Sequence, residues 1–302
     1  MIALEQNTER QLHRLAAQRQ LYATAKRIFG WQLFLSGLIT VTFAFIVVLD
    51  PSFKVLAVSW GILITLADIF WLTPWQKKLK DSAAKIQEMF DCDVLELPWN
   101  DLKAGKRPNH ELIKEQSEKY AKKPLKNAPL ENWYVHPEID DLPIHIARIA
   151  CQRTNCWWDA EQRRSYASYV VLIVTLIFIV VFGLSLKDGF SMENFVLKVL
   201  TPLSPIFLLG IRQYREQIDS ASRLDKLKDY SESLWKDALS KKSKTEITTR
   251  SRNLQDELLE HRRKSPPVFD FIFKRLRKSY NEKMSFGLGE LINEAQKKGC
   301  DF

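Results

Sequence analysis

The stretch WQLFLSGLITVTFAFIVVL at residues 31–49, followed after DPSFK (residues 50–54) by VLAVSWGILITLADIFWLTPW at residues 55–75, decides the fold. Each run approaches the roughly 20 apolar residues with which an α-helix crosses about 30 Å of hydrocarbon. Backbone polar groups cannot stay unpaired in lipid, so such runs are helical or belong to a closed barrel. Their hydrophobicity is continuous rather than alternating, which excludes the barrel. A second pair of apolar runs lies at 167–186 and 195–211, joined by 187–194. The expected fold class is all-α: a polytopic membrane protein with two transmembrane helical hairpins and a helical cytoplasmic domain.

Charge sets the expected orientation. Arg10, Arg14, Arg19, Lys26 and Arg27 precede the first run, and Lys77, Lys78, Lys80 and Lys85 follow the second. Arg163 and Arg164 precede the third, and Arg212 and Arg215 follow the fourth, whereas the two short connectors carry only Lys54 and Lys187. Counting positive charge over these flanks puts both termini and the middle segment of this multi-pass protein in the cytoplasm. The first apolar run begins near Ile28 behind a long charged leader, so no cleavable signal peptide is expected. Cys92, Cys151, Cys156 and Cys300 all fall on the cytoplasmic side, where thiols stay reduced and no disulfide is expected. A net charge of +9 suits nucleic acid, a nucleotide ligand or anionic lipid. With so many basic residues beside the spans, lipid headgroups and topology account for most of it, and no direct DNA or RNA binding is expected.

The chain divides into five pieces. Residues 1–30 form a cytoplasmic N-terminal helix, with Leu12, Leu15, Ala16 and Tyr22 at helical spacing, and 31–75 form the first hairpin. The cytoplasmic middle region, 76–166, opens with a helical continuation to Phe90. It passes through a proline-bearing segment of loops and short helices over 91–141, with a helix at 110–120, and becomes helical again from Leu142. The second hairpin is 167–211, where Pro202 and Pro205 break the fourth run, and 212–302 hold the cytoplasmic C-terminal helices, expected at 212–239, 246–263 and 268–298.

Several residues invite a functional reading. Arg148, Gln152, Asn155, Asp159 and Gln162 recur at three- and four-residue intervals and share one helix face, with Arg153, Trp157 and Arg164 on the neighbouring one. Arginine grips phosphate through paired hydrogen bonds and indole stacks on a base, so Arg148, Gln152, Arg153, Asn155, Trp157 and Arg164 are candidate ligand-binding residues. The competing reading makes Trp157 and Trp158 part of an interfacial tryptophan belt and the arginines topological signals. Inside the runs, Asp68 and the broken stretch Thr201, Pro202, Ser204 and Pro205 are candidate pore or gate residues, since ionisable groups and proline-freed carbonyls need partners in lipid. A static kink serves the second group equally well. Lys198, near the outer end of the fourth run, is expected to snorkel to the interface.

Asp91, Asp93 and Glu96 read as turn chemistry rather than a metal site, with Asp91 and Asn100 bracketing the turn. The five histidines are scattered, and no nucleophile elbow, Walker loop, dinucleotide fingerprint or zinc spacing occurs. No catalytic residue, metal or cofactor is therefore expected, and the chain is not expected to be an enzyme.

Three segments carry a resemblance to a known family: IQEMFDCDVLELPWN at 86–100, Leu142-Pro143 with IACQRTNCWWD at 149–159 and RRSY at 163–166, and SPPVFD at 265–270 followed by Arg275 and Tyr280. In this order and spacing the chain resembles the SMODS-associated four-transmembrane effectors of bacterial conflict systems. The resemblance implies antiphage signalling, in which a separate nucleotidyltransferase makes a cyclic oligonucleotide and the effector responds by disrupting the inner membrane. Closing a pore from four helices requires several copies, so a homo-oligomer is expected. A constitutive ion channel or small transporter with a regulatory domain, and a membrane-tethered scaffold, are the competing readings.

Overall fold

The computed structural model describes residues 2–122, 130–134, 137–186, 191–240 and 242–299. His136, Cys300 and part of the connector expected at 187–194 lie outside the described residues, as do the side chains of Lys198 and Pro202. Every regular element among the described residues is helical, and none is a strand.

Helix α1 (Ile2–Glu5) is separated from α2 (Glu9–Leu33) by Gln6 to Thr8, so the single helix expected over 1–30 is two. Asn7 and Thr8 explain the break: Asn7 Nδ2 donates to the Ala3 carbonyl at 3.1 Å and Thr8 Oγ1 to the Glu5 carbonyl at 3.0 Å. Such short polar side chains offer the backbone an alternative to the helix. From α2 the chain runs through a π-helical turn, Phe34–Ile39, into α3 (Thr40–Leu49). Asp50 then turns it around, its carboxylate accepting from the Ser52 amide at 2.9 Å. The return leg is α4 (Lys54–Ala67), a second π-helical turn at Asp68–Leu72, and α5 (Thr73–Val94). Pro74 sits in the first turn of α5, where the backbone leaves the π-helical turn. Because α5 extends to Val94, Asp91 lies inside a helix instead of opening a turn; the turn comes at Glu96, which adopts φ 50°.

Two short helices, α6 (Asp101–Ala104) and α7 (His110–Lys122), lead to α8 (Ile144–Ser185). The 42 residues of α8 extend roughly 63 Å at about 1.5 Å per residue, enough to cross the hydrocarbon and continue as far again outside it. The second hairpin returns through α9 (Met192–Phe195), a third π-helical turn at Val196–Leu200, and α10 (Thr201–Leu239), so the fourth run and the 212–239 helix form one rod. Helices α11 (Lys244–Lys264) and α12 (Asp270–Lys297) complete the chain.

Glu9–Val47, Pro51–Val94 and Ile144–Gly183 are each long and apolar enough to cross a membrane. The fourth expected span, 195–211, pairs along α8, and the fit is tight: a Cβ added at Gly210 would stand 2.7 Å from Val174 Cγ2. Val55, Ile62, Ile69, Ile179 and Leu208 are exposed along the spans, an apolar surface whose natural solvent is lipid. The other ends of these helices, with α7, α11 and α12, form a polar body. Its core holds Phe90, Leu95, Ile139, Leu142, Ile149, Leu234 and Ile292.

Candidate functional site

Along α8, Asn155, Trp158, Asp159, Gln162 and Arg163 follow one another at helical spacing, and together they form one wall of a cavity of about 330 Å³ in the body. The opposite walls come from α2 (Arg19, Tyr22, Lys26), α5 (Lys80), the segment around Trp133, α11 with the link that follows it, and α12 (Phe273, Arg277). Six basic side chains, Arg19, Lys26, Lys80, Arg163, Arg262 and Arg277, face three acidic ones, Glu131, Asp159 and Asp270, among the described lining residues. The cavity is therefore net positive.

Its cations are held in three ways. Arg19 lies over the Trp133 ring at 5.6 Å and Arg277 over Phe273 at 5.8 Å, cation–π contacts that place flat guanidinium groups against aromatic faces. Lys26 Nζ meets Asp270 Oδ1 at 2.5 Å. Arg163 meets Asp159 at 3.1 Å and donates to Gln217 Oε1 at 2.9 Å and to the Pro266 carbonyl at 3.1 Å. Burial alone would raise the Asp159 carboxyl, but Arg163 and the hydrogen bond to His261 outweigh it and hold Asp159 well below the usual carboxylate range. His261 Nε2 faces both Asp159 Oδ2 (3.1 Å) and Ser265 Oγ (3.0 Å), and its Nδ1 is buried with no partner among the described residues. The Trp158 ring is fixed by Asn281, which accepts its N–H at 3.3 Å, and by Phe273 at 5.2 Å.

Of the six residues singled out in the sequence for ligand binding, Asn155 lines this cavity and five do not. Arg148 donates to the carbonyls of Ile144 (3.1 Å) and Glu96 (3.4 Å). Gln152 is fully buried against α11, bonded to the Ser251 carbonyl and Gln255 at 3.0 Å each. Arg153 pairs with Glu232 at 3.0 Å, Arg164 grips both Asp225 oxygens at 2.6 Å, and Trp157 packs on Tyr280 at 5.9 Å. The face through Asn155, Asp159 and Gln162 is the one that opens to the cavity. Its lower end, Arg148 and Gln152, is covered. Arg19, Lys26, Lys80, Arg262 and Arg277 come from other helices, and no local motif marks them.

A second cavity, of about 430 Å³, lies where α2, the Asp68 turn, α5 and α10 meet the body. Gln32 Nε2 donates to Asp68 Oδ1 at 2.5 Å and Thr73 Oγ1 to the same oxygen at 3.2 Å, so Asp68 has polar partners at the end of its span. Thr201 and Ser204 are not among the described residues lining it. Their hydroxyls return to the carbonyls of Val196 and Thr201, both at 2.9 Å, and the second of these is the carbonyl that Pro205, lacking an N–H, leaves open. The two cavities share one wall, formed by Lys80, Pro266 and Pro267. Cys92, Cys151 and Cys156 are buried thiols, Cys156 pushed up to about 12 by burial. Among the described residues no cluster of three His, Cys, Asp or Glu side chains is placed to hold a metal ion.

The model of the SMODS-associating 4TM effector domain matches residues 1–291. A curated relative, a "Probable CBASS effector molecule" of Bacillus cereus (strain VD146), is 24% identical over 228 residues, covering 74% of this chain and 76% of the relative. No solved structure matches the chain.

Proposed function

The chain belongs to the SMODS-associating 4TM effector family, and on that premise we propose that it is a CBASS-type antiphage effector of the inner membrane, with its body and both termini in the cytoplasm. A cyclic oligonucleotide made by a partner nucleotidyltransferase binds in the body cavity, and the spans, in a homo-oligomer, respond by breaching the membrane. The observation that carries the binding step is the lining itself. Guanidinium groups supported on aromatic faces, with a fixed indole among them, are what a ligand with both phosphates and bases requires.

The route from cavity to spans runs through the shared wall. Arg163 holds the Pro266 carbonyl, and Gln217 Nε2, on the rod that becomes the fourth span, holds the Pro267 carbonyl at 3.1 Å. Phosphate competing for Arg163 would loosen both, and a ligand shifts such an equilibrium by its differential affinity for the two arrangements. No side chain in this scheme makes or breaks a covalent bond, so the role is that of a receptor and not an enzyme.

The test is thermal unfolding of the purified full-length protein in detergent with a panel of cyclic di- and trinucleotides. One member should give a saturable stabilisation that grows with its concentration, and Trp158→Ala and Arg277→Ala should abolish it. Dye entry into cells carrying the protein and its nucleotidyltransferase reads the second step. Defence with intact membranes would sink the lesion mechanism, and flux without any nucleotide would point to a constitutive channel.

A further inference from the structure

We propose that the second cavity is a phospholipid site, taking the phosphate of a membrane headgroup with Lys80 as its counter-ion. The cavity sits at headgroup depth. Trp31, Trp71 and Trp75 neighbour its lining residues in sequence and are 59%, 67% and 55% exposed, the interfacial placement of indole at a membrane boundary. Phe29, Leu33 and Leu209 give it an apolar side continuous with the spans, and Gln32, Gln213 and Arg212 a polar side continuous with the body.

One of its buried cations has no anion beside it. Lys80 is only 9% exposed, yet among the described residues it makes no ion pair or hydrogen bond. An ammonium taken out of water without an anion is expensive. Glu216 attracts the Lys80 charge, but it is engaged by Arg212 at 2.9 Å, while Arg163 and Lys77 repel it. Among the described residues Arg223 donates to the Ser220 hydroxyl at 2.8 Å and makes no ion pair. Asp68 is held by Gln32 and Thr73. Arg212 is answered by Glu216 and Lys264 by Glu260 at 3.1 Å, and Asp219 is exposed, so Lys80 is the buried lining cation without a carboxylate partner among the described residues, and a phosphodiester carries one negative charge. Gln213 supplies the second feature: it is 7% exposed and its amide has no partner among the described residues, leaving an acceptor for a headgroup hydroxyl or ammonium.

Lys80 also lines the first cavity, so the inference is tested without nucleotide. Full-length protein in neutral detergent is unfolded thermally with increasing dioleoylphosphatidylglycerol, with dioleoylglycerol, which has the same chains and no phosphate, and with inorganic phosphate. Dioleoylphosphatidylglycerol should raise the Tm saturably, and dioleoylglycerol should not. Lys80→Gln removes an uncompensated buried charge, so it should fold and lose the lipid response, while Lys80→Arg keeps it. Equal shifts from both lipids, or a full response in Lys80→Gln, would overturn the site. An equal shift from inorganic phosphate would overturn the lipid assignment in favour of a soluble anion.

Discussion

The body buries positive charge in two places and treats it differently. From Arg262 in the wall of the first cavity inward, Arg262 meets Asp91 at 2.6 Å, and Arg252 meets Glu88 at 2.5 Å and Asp256 at 2.9 Å. Gln255 Nε2 reaches Glu88 and Asp91 at 2.9 Å each, and the Tyr134 hydroxyl donates to Asp91 at 3.0 Å. Glu88, Asp91, Arg252 and Arg262 face opposite charges across the two helices, with Asp256 answering Arg252 from the same α11, so the network fixes how α11 sits on α5. Lys80, on the same α5, has no such partner among the described residues. A closed network holds elements in register, whereas an open charge marks where something outside the chain is received.

The largest effect that can test this contrast lies in the closed network. Arg262→Met would leave Asp91 and Glu88 buried against one arginine, and breaking a buried pair typically destabilises by about 3–5 kcal/mol. Thermal unfolding in detergent checks it. A loss below about 1 kcal/mol would mean that water reaches the network, and the two regions would no longer differ in kind.

Lys80 should behave in the opposite sense. Burial first, and Arg163 second, lower its ammonium to about 8, with Glu216 opposing them. Below pH 8 both the folded and the unfolded chain hold this proton, and the cost of burying the charge is fully present. As pH rises from 8 toward the ordinary lysine value the folded protein sheds the proton first, so stability climbs across that window. The climb is on the order of 3 kcal/mol. Lys80→Met should be more stable than the natural protein at pH 7 and lack the climb. Measured in phospholipid instead of detergent, the climb should shrink, because a bound phosphate holds the proton on. A flat profile in the natural protein would mean that Lys80 is already neutralised from within the chain.

Much of this architecture is legible in the residues, for physical reasons. Length and continuity of apolar runs mark the spans because lipid demands both, and the polar spacing on α8 marks the face through Asn155, Asp159 and Gln162. The break at Asn7 and Thr8 and the three π-helical turns lie in locally helical patterns, and tertiary context decides them. Arg163 and Arg164 show where local reading ends. They are adjacent, equally charged and equally close to the third span. A turn of about 100° per residue sends Arg163 to the cavity and Arg164 to Asp225. The basic side chains from α2, α5, α11 and α12 meet them only because the hairpins fold back on α8. No spacing in the sequence records that convergence.

The smallest effect sharpens the contrast most at the proposed nucleotide site. Arg153 and Arg164 are answered by Glu232 and Asp225, but their side chains are 25% and 38% exposed. Solvent screens such pairs, and each should contribute only about 0.2–1 kcal/mol. Arg153→Ala and Arg164→Ala should therefore unfold within a degree or two of the natural protein and keep any nucleotide-induced shift, whereas Arg277→Ala loses it. If either variant stays stable but loses the shift, the ligand is read on the α8–α10 face. A charge paired inside the chain would then be exchanged on binding, and the cavity between α2, α8 and α12 would not be where the ligand is read.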